Sequence, residues 1–417
     1  MLILATALFE AAKLRGLYAD GADFLVKILV AKNFYFLNAS RRFTEILTQL
    51  PVVLAIKGGL TKLSLLIFIH SFALVIIPVI FWVISLWRLY DDDLFWPMFV
   101  LFSIIHFNFD FFAIGEYNVA YSLVALSIAI LSARAEITSF WAAVALFAAI
   151  CLIASYEALL FLGPLLAVLA CRRLVTERPL LTGLVKSTLV LCLVCYLCAA
   201  IIAAFSIWHP RDPAVFADAV DMRYNARNSL LLLSATFALA YGLSLFSSVS
   251  ARRLATVIAI STLVALAWPE FWSAPAMQYS SRVIGGIVIL LFGVIVLLGR
   301  PISNYLHLDL EPLASANVYY SLSLFFVLLI SDVTRSIQFM DYLDNFQKEV
   351  RSHAGLIPLE ATNLSSHRDG VFGWEWTHPT LSILLRDNAR QGVILNSSNE
   401  PFDPKGSIPN LSSYYGQ

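Results

Sequence analysis

Charge is scarce in this sequence. Only 13% of its 417 residues are Asp, Glu, Lys or Arg, against about 25% in an ordinary water-soluble domain. The 28 basic and 28 acidic side chains cancel, so nothing in the net charge suggests nucleic acid and none is expected as a partner. Cysteine is sparse too. Cys151, Cys171, Cys192, Cys195 and Cys198 all fall in apolar segments. The last three recur at helical spacing and read as small packing residues rather than a disulfide or zinc set. The chain has no Gly-x-Gly-x-x-Gly fingerprint, no phosphate loop ending in Gly-Lys-Ser/Thr and no His-Glu-x-x-His. A dinucleotide-binding domain and a common zinc hydrolase are therefore not expected. Repeats, low-complexity runs and heptads are missing as well. The first residues lack a clear basic region and cleavage site, so they read as a retained span rather than a signal peptide.

What fills the chain instead is apolar surface. Hydrophobic residues make up 59%, with 30 Phe, 16 Tyr and 9 Trp, and the mean hydropathy is +0.79. A helix needs about 20 apolar residues to cross the hydrocarbon, and its backbone must bond to itself there. Eleven candidate spans follow, at roughly 1–18, 64–87, 94–112, 118–134, 139–155, 157–171, 184–206, 229–249, 254–269, 283–299 and 317–334. The expected fold class is an all-α polytopic membrane protein. The first span carries Glu10 and Lys13 and reads as tilted or interfacial. The pair 139–155 and 157–171 reads as two short helices, or as one long span with a re-entrant piece.

The bias of Arg and Lys toward the inner side orients the bundle. With the N-terminus inside, the inner loops hold Arg88, Arg134, Arg172, Arg173, Arg178, Lys186, Arg252, Arg253 and Arg300. The outer side receives the acids, and also Arg41, Arg42, Arg211, Arg223, Arg227 and Arg282. An odd span count sends the C-terminus outside. Residues 1–334 form the expected membrane domain, with a first outer loop at 19–63. Residues 335–417 are a polar, turn-rich tail, too small for a core of its own and expected to pack on the membrane domain. The stretch "TRSIQFMDYLDNFQKEV" reads as the last helix continuing outward.

The outer loops carry the chemistry. In "GLYADGADFLVKIL", Asp20 and Asp23 share a helix face. A carboxylate is what a hydroxyl needs when it must lose its proton during attack on a sugar carbon. Two carboxylates also hold a divalent cation, and acids at a helix start are favourable in any case. The loop continues with "SRRFTEILTQLPVVLAI", an amphipathic helix starting near Arg41 with Ser40 as its cap. Its stripe Phe43, Ile46, Leu47 and Leu50 is expected to lie apolar face down in the interface. It either frames a lateral entrance for a lipid-linked substrate or packs as a plain surface loop.

The second outer loop, "FNFDFFAIGEYNVAYSL", sets Asp110 and Glu116 among aromatic rings, with His106 one turn before Asp110. Charge in such a place is costly unless paired or used. Asp110 and His106 read as a second acidic or metal cluster, or as a satisfied buried pair beside a cap built by Glu116 and Asn118. Glu157, in "ASYEALLFLGPL", interrupts an apolar run and is a site candidate or helix–helix glue. The later loops "SIWHPRDPAVFADAVDMRYNARN" and "WPEFWSAPAMQYSSR" mix Arg with Trp and Tyr, residues suited to phosphate and to a sugar face. In the tail, "GWEWTHPT" reads as a short carbohydrate-binding strand or, preferably, as part of a small core. Asn-x-Ser sites begin at Asn38, Asn363, Asn396 and Asn410. Few charges lie in series inside the spans, which speaks against a proton-coupled transporter.

An opening span, then "LYADGADFL", interfacial helices, and the acidic loop "FDFFAIGEYNVAYSL" together resemble the polytopic membrane glycosyltransferases of the GT-C superfamily. The resemblance covers the whole chain in architecture and only the first two outer loops in residues. It implies a sugar donor on a polyprenyl phosphate and a lipid or glycan acceptor, with Asp20 or Asp23 as first-loop carboxylate and Asp110 or Glu116 as second. Asp23 and Asp110 become candidate ligands of a divalent cation, Mg2+ or Mn2+. Arg42, Arg227 and Arg282, with Glu157, become candidate donor-binding residues. The family's common first-loop Asp-Glu pair is here Asp-Gly-Ala-Asp. The implied location is a bacterial inner (plasma) membrane, with the N-terminus cytoplasmic and the C-terminus periplasmic. Polysaccharide polymerases, ligases and lipid-linked-sugar transporters share the span count and stand as alternatives.

Overall fold

The computed structural model describes residues 1–107, 114–177, 181–210, 285–298, 311–364, 372, 375–395 and 411–414. Asp110, Arg227, Arg282, the spans expected at 229–249 and 254–269, and Trp374 lie outside the described residues. The described chain is mostly helical. Its helices are α1 (Leu2–Ala12), α2 (Asp20–Ala31), α3 (Arg42–Lys57), α4 (Leu63–Arg88), α5 (Phe95–Phe107), α6 (Glu116–Ser132), α7 (Ser139–Leu152), α8 (Leu159–Thr176), α9 (Gly183–Trp208), α10 (Gly285–Leu298), α11 (Glu311–Ser352) and α12 (His378–Leu385). Among the described residues, four helices are long and apolar enough to cross a membrane: α4, α8, α9 and the Ser321–Ser352 part of α11. Five more, α1, α5, α6, α7 and α10, are apolar but shorter.

Helix α6 is the axis of the bundle. Every residue from Glu116 to Leu131 is buried, as expected of a helix that is apolar all round. Ala120, Ser122, Ala125, Ser127 and Ala129 keep it narrow, and α4, α7 and α8 pack on it. The run 139–171 is broken at Ile153–Ala158 into two helices, α7 and α8, the second continuing to Thr176 and long enough to span. Cysteines 151, 171, 192, 195 and 198 are all free thiols.

The charged residues sort by end. Arg88, Arg134, Arg172 and Arg173 gather where α4, α6, α8 and α10 finish. Arg88 and Arg173 donate to the carbonyls of Ala133, Ala135 and Glu136, Arg172 donates to those of Val296 and Leu297, and Arg134 pairs with Asp93. Cations at helix C-termini are favourable. Arg41, Glu116 and Glu157 meet at the opposite end.

Helix α11 runs 42 residues without interruption, carrying the chain from the bundle into the tail. There Leu356–Ile357 pairs in parallel with Val393–Ile394. The tail does pack on the rest of the chain. Ile357, Leu381, Ile383 and Ile394 share one hydrophobic cluster with Leu17, Leu25 and Ile28 of the first loop and with Phe339 and Phe346 of α11. Residues 375–377 form a 3-10 turn leading into α12, not a strand, because Pro379 favours a helix start. Trp376 is exposed, whereas His378 is buried and bonded to Tyr342 Oη at 3.1 Å.

Candidate functional site

The turn that carries Asp20 is tightly built. Leu14 and Ala19 both have positive φ, 55° and 51°, a conformation L side chains rarely adopt. Between them Gly16 lies against α4. Its N–H donates to Ser71 Oγ at 3.0 Å, and a Cβ added there would lie 2.5 Å from Ser71 Cα. Gly21 is equally confined, since its Cβ would lie 1.8 Å from Gly16 O, and its own carbonyl is bonded to His70 Nε2 at 3.0 Å. Asp20 is the first residue of α2 and follows Ala19 directly. Backbone held in such conformations clusters at sites where strain serves a function.

Asp23 has a different fate. Its Oδ2 accepts from Lys27 Nζ at 2.7 Å, one helical turn on, and Lys27 also covers the Tyr35 ring. Burial disfavours the Lys27 charge, but Asp23 more than offsets this and holds the ammonium above its ordinary pKa. Among the described residues, no group of three or more His, Cys, Asp or Glu side chains is placed to hold a metal ion. Asp110, the other expected ligand of such an ion, lies outside the described residues.

Beneath the Asp20 turn lies a buried ionic cluster. Arg15 pairs with Asp332 of α11 and lies 3.5 Å from Glu10 Oε2; His106 Nε2 lies 3.6 Å from the same oxygen. All four residues are buried. Residues far apart in the chain converge to form this one cluster. His106 faces Glu10, and its ring stacks on Phe102.

The second cluster centres on Arg41. Its Nη1 donates to Glu116 Oε1 at 2.8 Å and its Nε to Glu157 Oε1 at 3.0 Å, while the guanidinium covers the Tyr156 ring at 5.1 Å. Burial works against this charge, but Glu157 and Glu116 outweigh it and hold the pKa above its usual value. Three helix starts meet here, those of α3, α6 and α8. The chain break supplies partners for α3: Ala154 O accepts from Phe43 N at 2.9 Å and Ser155 O from Thr44 Oγ1 at 3.2 Å. At α6, Asn118 Oδ1 accepts from Gly115 N at 3.0 Å, the expected cap. The ring of Tyr117 lies 5.9 Å from that of Tyr156, and Tyr121 lies 5.8 Å from it. Tyr117 is also close enough to Arg15 to act on it electrostatically, so the two clusters adjoin.

Helix α3 starts at Arg42 rather than Arg41. Asn38, not Ser40, caps the preceding turn, accepting from Ser40 N at 3.2 Å. Ser40 is buried with its Oγ 3.0 Å from Ser206 Oγ, so the Asn38 sequon is folded into the protein. Helix α3 turns a polar face inward along its first half, with Val52 and Val53 buried after it. Thr44, Glu45, Thr48 and Gln49 are buried, whereas Leu50 and Leu54 are exposed. An apolar face left outward belongs against lipid. Arg42 is exposed and lies over the Phe36 ring at 5.1 Å.

Glu45 was not singled out in the sequence. One oxygen accepts from Leu37 N at 3.3 Å; the other, Oε2, is buried and accepts no hydrogen bond. Burial, and after it the neighbouring Glu116, push its carboxyl up to about 8, against the opposing pull of the Leu37 and Asn38 N–H groups and Arg41.

No protein-family model, curated protein or solved structure matches this chain.

Proposed function

We propose that the chain is a membrane-embedded glycosyltransferase of GT-C type, with about eleven spans, seated in a bacterial inner membrane with its tail periplasmic. A sugar passes from a polyprenyl-phosphate donor to a lipid or glycan acceptor at the tail end of the bundle. The observation that carries this reading is the Asp20 turn: a carboxylate behind a residue of positive φ, pinned to α4 through Gly16 and to α11 through Arg15. Asp20 takes the acceptor hydroxyl's proton as that oxygen attacks the anomeric carbon. The carbon–phosphate oxygen bond breaks in the same step, which inverts the centre. Asp20, which directly follows Ala19 of positive φ at the start of α2, is assigned as the first-loop base. Exposed Arg42, with Arg227 and Arg282, is the candidate holder of the leaving phosphate. Arg41, already engaged by two carboxylates, is not.

One observation favours a second reading. The buried Glu10, Arg15, His106 and Asp332 are what a transporter of lipid-linked sugars would use. The test is transfer by the purified protein in nanodiscs, with a panel of polyprenyl-phosphate sugars and a cell-envelope lipid extract. Asp20→Asn is expected to abolish turnover in folded protein and Asp23→Asn to retain most of it. If the parent consumes no donor, transfer is the wrong reading and transport of the same lipids is measured next.

A further inference from the structure

Charge around Arg41 speaks to the kind of sugar, an inference that rests on the transferase reading above. We propose that the Arg41–Glu45–Glu116–Glu157 cluster is the sugar subsite and that it admits uncharged or amine-bearing rings while turning away acidic ones. Arg41 contributes one positive charge and its partners Glu116 and Glu157 two negative ones, so the trio is net −1. A phosphate is repelled by that balance, and so is a uronate.

The remaining features suit a neutral ring. Glu45 lies on the inward polar face of α3, 2% exposed, with Oε2 accepting no hydrogen bond. With its carboxyl pushed up to about 8, Glu45 is protonated at neutral pH and has an O–H to donate to a sugar oxygen. Glu157 and Arg41 keep part of their surface open, with side chains 18% and 21% exposed. The half-buried Tyr156, its ring under Arg41 and backed by the buried Tyr117 and Tyr121, borders the cluster with an aromatic side. The groups that set the Glu45 proton are Glu116 on α6, Arg41 just before α3, and the N–H groups of Leu37 and Asn38. Above about pH 8 Glu45 ionises, the cluster becomes net −2 and the donated hydrogen bond is lost. KM for a neutral donor then rises.

The experiment uses the full chain in nanodiscs with polyprenyl phosphates carrying glucose, a 4-amino sugar or glucuronic acid. Neutral and amino donors are expected to exceed the glucuronate donor in kcat/KM by roughly tenfold or more, a lower bound, since one like charge about 4 Å away at an effective dielectric of about 20 is worth roughly a thousandfold. Glu157→Gln is expected to narrow that gap, and Glu45→Gln to remove the alkaline rise in KM. Glucuronate used as well as glucose, or an alkaline rise that survives Glu45→Gln, would overturn the inference while leaving the transferase reading in place. A parent that consumes no donor of any charge overturns both.

Discussion

Arg41 and Glu116 lie 75 positions apart and are joined Nη1 to Oε1 at 2.8 Å. The same guanidinium holds Glu157 at 3.0 Å, so one side chain ties the start of α3 to α6 and to the α7–α8 break. Arg41→Ala leaves two carboxylates facing each other in a largely buried setting. A loss of about 2–4 kcal/mol is expected, read as a lower unfolding midpoint in detergent. Arg41→Lys is expected to recover little, since a lysine has no planar fork for two acids and one ring.

The Asp20 turn separates strain from packing. Gly16→Ala and Gly21→Ala drive a Cβ into backbone atoms and are expected to cost about 1–3 kcal/mol or more. Ala19→Gly removes the penalty of a positive φ and is expected to stabilise by about 1 kcal/mol. If the turn aims Asp20, the same substitution lowers turnover despite the stability gain. Stability and turnover rising together would show that the strained backbone has no part in the chemistry.

Stability is expected to fall with rising pH through Glu45. The folded carboxyl titrates near 8 and the unfolded one near 4.5, so between those values the folded state holds a proton that the unfolded state has released. Stability is greatest below about 4.5 on this account and declines by at most about 1.4 kcal/mol for each pH unit up to 8. Glu45→Gln is expected to flatten that slope in a series of thermal melts. An unchanged slope would assign it to another group.

The Arg15–Asp332 pair ties α11 to the start of the first loop. Asp332→Asn weakens the main partner of a buried guanidinium, with Glu10 left 3.5 Å away. A loss of about 3 kcal/mol is expected, together with faster hydrogen exchange in the Leu14–Asp20 turn.

Much of this end of the molecule was legible from residue placement. Glu116 and Glu157 stood out as acids interrupting apolar runs, and both take part in one cluster. Their partner was harder to choose. Arg41 and Arg42 are adjacent, and an α-helical step of about 100° sends neighbours in different directions, so one faces the bundle and the other lies exposed over Phe36. Glu45 was hidden for a related reason. Periodicity reveals that α3 has two faces but not which one is buried, and here the polar face is inward. Glu10 read as the sign of a tilted first span, and Asp332 was not singled out within the span expected at 317–334. Their meeting at Arg15 is tertiary, and no local pattern encodes it.

The distance between Arg15 and Asp332 along the chain has a consequence for how the protein is made. Asp332 leaves the ribosome 317 residues after Arg15, a delay on the order of tens of seconds at ordinary rates of synthesis. Through that interval the arginine is paired locally or not at all, and Glu10, five residues earlier, is the neighbour placed to shield it. Until then Glu10 is far nearer along the chain than Asp332, and the arrival of α11 completes a junction begun beside α1.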